Sequence, residues 1–198
     1  MYLRAVIVLV LVAATHVLSK SNPPMGCVLL ESVAYRKFLF SGLYHSSMYD
    51  RNVNYDNWEH LEDKEWIFEK SGKEYRIYTV KNQIAPMYLH TNKAMQFDGD
   101  RRRVHLSAFI NGTKEMQWTV EQQKNGYFAI KNKEMKEYLY AGERKFDVPY
   151  GCLQPYEMNL NHWKTNNTIC RTVGQVFTWK GKMPKELGFE YLWNVRSC

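Results

Sequence analysis

YFAIKNKEMKEYLYAG, residues Tyr127 to Gly142, reads as a strand, a short charged turn and a second strand that ends on glycine. Its second half recurs. KFLFSG at Lys37–Gly42 and MYLHTN at Met87–Asn92 repeat EYLYAG at Glu137–Gly142, and their leucines, Leu39, Leu89 and Leu139, fall fifty residues apart. An apolar run precedes each copy: VLL, YRIYTV and YFAIKN. A period of this size marks one supersecondary unit used several times, each copy burying its apolar face against the others.

Outward from that stretch, no long segment carries a helical period. The apolar runs are short, rich in Tyr, Phe, Val, Ile and Trp, and separated by Gly, Asn, Asp and Pro, which is the pattern of an all-β sandwich or barrel. Strands are expected at Phe38–Phe40, Trp66–Phe68, Tyr75–Val80, Val104–Phe109, Trp118–Glu121, Tyr127–Ile130, Tyr138–Ala141, Val176–Trp179 and Tyr191–Val195. Ser71-Gly72 and Asn125-Gly126 sit between runs as hairpin turns, Asn-Gly being the strongest short signal of one. A second mark repeats as an aromatic closing strand: WIFE from Trp66, WTVE from Trp118 and, more loosely, FEYL from Phe189. These marks divide the chain into units at roughly 27–71, 72–125 and 126–198. Three copies of four strands leave no open edge if they close on themselves.

The amino terminus has its own signature. Met1 and Arg4 precede the apolar run AVIVLVLVAA at Ala5–Ala14, followed by small and polar residues. A positive start, an apolar stretch of this length and a cleavage zone make a secretory leader, taken here as residues 1–19. A membrane-spanning helix needs about twenty apolar residues, so no membrane anchor is expected. Removal of the leader leaves a single domain, 20–198, of roughly 180 residues. Cys27, Cys152, Cys170 and Cys198 all lie in the mature part, and an even count in an exported chain favours two disulfides among three pairings. The sequons at Asn111 and Asn166 agree with the secretory route. The net charge is +7, about +6 without Arg4. Such a balance serves solubility first and attraction of anions second.

The repeats KFLFSG, MYLHTN and EYLYAG, with WIFE, WTVE and FEYL, resemble those of a β-trefoil across the mature chain. In detail they are similar to secreted insect β-trefoil proteins, including the C-terminal domain of the low-molecular-mass haemolymph lipoproteins of moths. That resemblance implies an all-β fold of three pseudo-repeats whose first and last strands pair. Cys27 and Cys198 then become neighbours, and Cys152–Cys170 is the remaining bridge. It also implies a shared core of Trp66, Trp118 and Phe189 with Leu39, Leu89 and Leu139.

For chemistry, His45, His60, His90, His105 and His162 are scattered without metal-ligand spacing, and neither a GxSxG elbow nor a glycine-rich phosphate loop occurs. A non-enzymatic binding protein is expected, with no metal and no cofactor. Two segments break the repeat. The connection between Gly142 and Val176 has 33 residues where the second unit uses eleven, and Leu43–Asn57 forms another insertion. Long loops in a compact domain are commonly functional, and Tyr, Ser and Asn suit recognition. Tyr44, Tyr49, Tyr55, Tyr150, Tyr156 and Trp163 are therefore candidate binding residues for an extracellular protein or glycan. Arg101, Arg102 and Arg103, read as a turn before a strand, are a candidate anion site for a sulfated glycan, since guanidiniums bind sulfate bidentately. A third reading rests on architecture alone: plant Kunitz-type protease inhibitors are trefoils of similar length, and an exposed Arg144 or Lys145 would then control inhibition. The Gln-x-Trp of ricin-type lectins does not occur, because Met116 stands where glutamine would precede Trp118. A monomer without nucleic-acid partners is expected.

Overall fold

Alternation of buried and outward side chains is the signature of a half-buried strand. In the computed structural model, which describes residues 22–47, 50–56, 64–80, 85–108, 113–142, 174–180 and 188–198, that alternation is strict in several strands. The segment Glu74–Thr79 buries Tyr75, Ile77 and Thr79 and turns Arg76 and Tyr78 outward. Gln117–Gln122 does the same with Trp118 and Val120.

The described residues form thirteen strands: β1 (Gly26–Ser32), β2 (Phe38–Ser47), β3 (Asp50–Asp56), β4 (Glu65–Ser71), β5 (Glu74–Thr79), β6 (Met87–His90), β7 (Arg101–Arg103), β8 (His105–Ser107), β9 (Gln117–Gln122), β10 (Phe128–Asn132), β11 (Tyr138–Ala141), β12 (Gly174–Trp179) and β13 (Leu192–Ser197). Six of them close a ring. β1 pairs with β4, β4 with β5, β5 with β9, β9 with β10, β10 with β13 and β13 with β1, all antiparallel. Of the other seven strands, six form the antiparallel pairs β2–β3, β6–β8 and β11–β12, which also meet one another through β3–β8 and β3–β12, and β7 pairs with β12. Closure leaves the six ring strands without an unpaired side. The Cys27–Cys198 disulfide ties the outermost strands, its Cα atoms 5.4 Å apart and 171 residues apart in sequence.

Three tryptophans carry the recurrence into the core. Trp66, Trp118 and Trp193 are fully buried, as are Leu39, Leu89 and Leu139. Each indole N–H donates to one leucine carbonyl: Trp66 to Leu39 at 3.0 Å, Trp118 to Leu89 at 2.9 Å and Trp193 to Leu139 at 3.1 Å. A buried indole N–H without an acceptor is costly, so each bond fixes both ring and strand.

The third of these corrects the expectation for Phe189, which is 56% exposed. Phe189 lies in the turn before β13, where its carbonyl accepts the Leu192 N–H at 3.0 Å. The core position belongs to Trp193, paired with Ser32 on β1 and Phe128 on β10. Phenylalanine has no donor for the Leu139 carbonyl, so aromatic character alone was an incomplete criterion.

The turns follow the sequence signals. Gly72 and Gly126 adopt φ of +68° and +85°, which glycine takes without penalty. Arg36 and Lys136, one hundred residues apart, also have positive φ, 55° and 58°. Each donates its N–H back across its turn, to Ser32 and Asn132 at 2.9 and 3.0 Å. The turns after β1 and β10 are thus built alike.

The segment expected as an insertion, Leu43–Asn57, is mostly extended strand in β2 and β3. Tyr55 is therefore a core residue rather than a binding residue. It is fully buried, stacks on Tyr35 with ring centroids 5.1 Å apart, and donates its hydroxyl to the Gly142 carbonyl at 2.5 Å. Gly174 makes room for it, because a Cβ there would stand 1.9 Å from the tyrosine Cζ.

Candidate functional site

The three arginines form β7 rather than a turn. β7 pairs with β12, Arg103 opposite Phe177, Arg102 opposite Thr178 and Arg101 opposite Trp179. Neighbours on a strand point to opposite faces, so Arg102 parts from the other two. Its Nε donates to Glu137 Oε1 at 2.8 Å, while Thr178 Oγ1 donates to Oε2 of the same buried carboxylate at 2.6 Å. Arg101 Nε donates to Asp98 Oδ2 at 2.5 Å, and its guanidinium lies 4.8 and 5.0 Å from the rings of Phe97 and Phe177. Arg103 is exposed, 5.4 Å from the Phe97 ring. Lys180 Nζ donates to the carbonyls of Asp98 and Gly99 at 3.0 and 3.2 Å.

These charges are largely spent inside the chain. Burial works to raise the Asp98 carboxyl, but hydrogen bonds from the Arg101 side chain and from the Asp100 and Arg101 backbone outweigh it and hold the group below its usual range. Burial pushes the neighbouring Tyr140 phenol up to about 12, with Arg101 working against it. The arrangement braces the Asp98–Arg103 hairpin against β12. Its three guanidiniums do not converge on one point.

Of the loop candidates, Tyr49, Tyr150, Tyr156 and Trp163 lie outside the described residues, as do Cys152, Cys170, Asn111 and Asn166. Tyr44 lies within the backbone of β2.

The sequence reading missed a different set. Phe38, Tyr88 and Tyr138 each precede one of the core leucines, so the strand alternation turns them outward. All three are half-buried. On one side they pair across the sheet with Glu31, Tyr78 and Lys131, and on the other with Asp56, Ser107 and Trp179. The fifty-residue spacing, read one residue earlier, was the signal that would have found them.

What covers each aromatic differs. Over Phe38 lie Lys64 Nζ and the Arg196 guanidinium, each 5.4 Å from the centroid. Buried Glu31 holds Arg196 by an ion pair and Arg36 at 3.3 Å. Over Tyr138 lies Lys131 Nζ, at 4.9 Å. Against Tyr88 lies the ring of Tyr78, with centroids 5.1 Å apart and planes tilted by 51°. Beside this pair Arg76 NH2 donates to Glu69 Oε1 at 2.6 Å, and Ile67 stands directly opposite Tyr78 on β4. Burial raises the Tyr78 phenol, and the Glu69 carboxylate adds to the effect.

No protein-family model matches the chain, and no curated protein sequence does. Solved structures do share its fold. A salivary protein of Culex quinquefasciatus, of the cysteine and tryptophan-rich family, is 17% identical with a TM-score of 0.61, over 89% of this chain and 96% of that one. The designed threefold-symmetric protein ThreeFoil is 13% identical with a TM-score of 0.59, over 87% and 99%. The lectin of Polyporus squamosus, bound to a human-type influenza-binding epitope, is 15% identical with a TM-score of 0.56, over 89% and 50%. At these identities the likeness is one of fold. Among the described residues no helix is long and apolar enough to cross a membrane.

Proposed function

We propose that this chain is a secreted β-trefoil of three units of about four strands each that binds an extracellular glycan or protein from its outer surface and does no covalent chemistry. The leader at 1–19 and the sequons at Asn111 and Asn166 support export. The carrying observation is the contrast between inside and outside. Trp66, Trp118 and Trp193 repeat one contact inside, whereas Phe38, Tyr88 and Tyr138 occupy matching outward positions with three different surroundings. A repeated core supplies the scaffold, and recognition belongs to positions where the copies diverge. Exposed arginine is a minor part of that surface, because Arg101 and Arg102 are neutralised by Asp98 and Glu137.

The secreted protein, applied to an array of neutral, sialylated and sulfated saccharides, is expected to retain a defined subset. Retention should survive raised salt, which screens exposed charges but not stacking or short hydrogen bonds. Mass spectra of the bound saccharides should be unchanged after incubation. Cleavage products would overturn the reading, as would failure to retain any saccharide together with failure to bind any extracellular protein.

A further inference from the structure

The three outward aromatics invite a comparison that the chain itself supplies. In the first unit the ring of Phe38 is covered by Lys64 and Arg196, and in the third the ring of Tyr138 is covered by Lys131. Cations sit there because an aromatic face is electronegative. In the second unit the position matching Lys131 is Tyr78, and no cation of the described residues lies over Tyr78 or Tyr88. Two half-buried tyrosines are left side by side on the outer surface, continued by Val80, which is 46% exposed.

The surroundings narrow what would complete this surface. Arg76, two residues before Tyr78 on the same outward face, is ion-paired with Glu69, so the pair brings no net charge to the surface beside the rings. Its Glu69 partner, directly opposite on β4, offers carboxylate oxygens that accept hydrogen bonds. A fitting occupant presents positively polarised C–H groups to the rings, carries no net positive charge, and has hydroxyls at its edge for Glu69, Arg76 and the phenols. A pyranose ring has these features together. The tyrosines supply area at small entropic cost, having two side-chain torsions each.

We infer that Tyr78 and Tyr88, flanked by Glu69 and Arg76, form a stacking site for a neutral pyranose of an extracellular glycan. This rests on the proposed binding function and assigns it to the second unit. Burial shifts the Tyr78 phenol upward, so this group stays a hydrogen-bond donor at neutral pH.

The informative variant is Tyr78→Lys, which builds in the second unit the lysine-over-tyrosine pair already present as Lys131–Tyr138. It should fold, with a melting temperature close to wild type. On an array of neutral saccharides, Tyr78→Lys and Tyr88→Ala are each expected to lower retention by about tenfold or more, the size of a lost aromatic stacking contact. Arg103→Ala is expected to retain them as wild type does. Undiminished retention by both tyrosine variants would overturn this site while leaving the glycan-binding function standing. Retention confined to sulfated saccharides and abolished by salt would also overturn it, in favour of a charge-driven surface. A wild-type protein that retains no saccharide would overturn both the site and the glycan reading, whereas protein binding would still stand.

Discussion

Trp193→Ala is expected to be among the most destabilising single substitutions in this chain, at about 3–5 kcal/mol. The side chain is fully buried. Truncation removes its packing, opens a cavity lined by the other core residues, and leaves the Leu139 carbonyl without the N–H now 3.1 Å away. An unmade buried hydrogen bond adds about 1–3 kcal/mol of desolvation to the loss. Trp66→Ala and Trp118→Ala should fall in the same range, because their surroundings repeat. Phe189→Ala is the control. At 56% exposure it should shift stability by no more than about 0.5 kcal/mol. Denaturant unfolding of the four variants checks the ordering directly. Equal losses from Phe189→Ala and Trp193→Ala would return Phe189 to the core and undo the third unit.

The second large effect is expected at the ends of the chain. Replacing both Cys27 and Cys198 by serine should cost about 4–5 kcal/mol, since a cross-link spanning so long a loop removes much of the freedom of the unfolded chain. The spacing of 171 residues covers most of the 198-residue chain. The folded state should survive in outline. β1 and β13 still pair at five positions, from Val28 opposite Ser197 to Ser32 opposite Trp193, and the Cys198 N–H still donates to the Cys27 carbonyl at 3.1 Å. The loss should therefore appear as a lower denaturant midpoint with near-native spectra. A midpoint within experimental error of wild type would mean that strand pairing alone holds the ends.

Much of the fold was legible because it depends on spacing. The leucines at fifty-residue intervals and the Asn125-Gly126 turn carried through to the structure, as did the pairing of Cys27 with Cys198, which the resemblance to a trefoil rather than the spacing implied. β3 was not legible. Its inward residues Val53 and Tyr55 alternate as a strand requires, but Asp50, Asn52, Asn54 and Asp56 give the stretch the composition of a loop. β7 was hidden for another reason. Three arginines have no apolar pattern, and their extended conformation comes from pairing with β12, more than seventy residues away. The sequence pattern points to Phe189 instead of Trp193 because the repeated feature is an indole donor, and its acceptor is visible only once Leu139 is in place. The Tyr78–Tyr88 surface needed the cross-strand register, which fixes that Tyr78, rather than a lysine, faces Tyr88.

Three equivalent tryptophan–leucine contacts lie inside a ring that leaves its outer positions free to diverge. Hydrogen exchange of the indole N–H groups, followed by NMR after transfer to D2O, tests this most directly. Of the six tryptophans, Trp66, Trp118 and Trp193 should exchange slowly and at similar rates, opening only when the core opens. Rapid exchange at Trp193, with protection retained at Trp66 and Trp118, would contradict the equivalence of the third unit and the comparison of outer sites built on it.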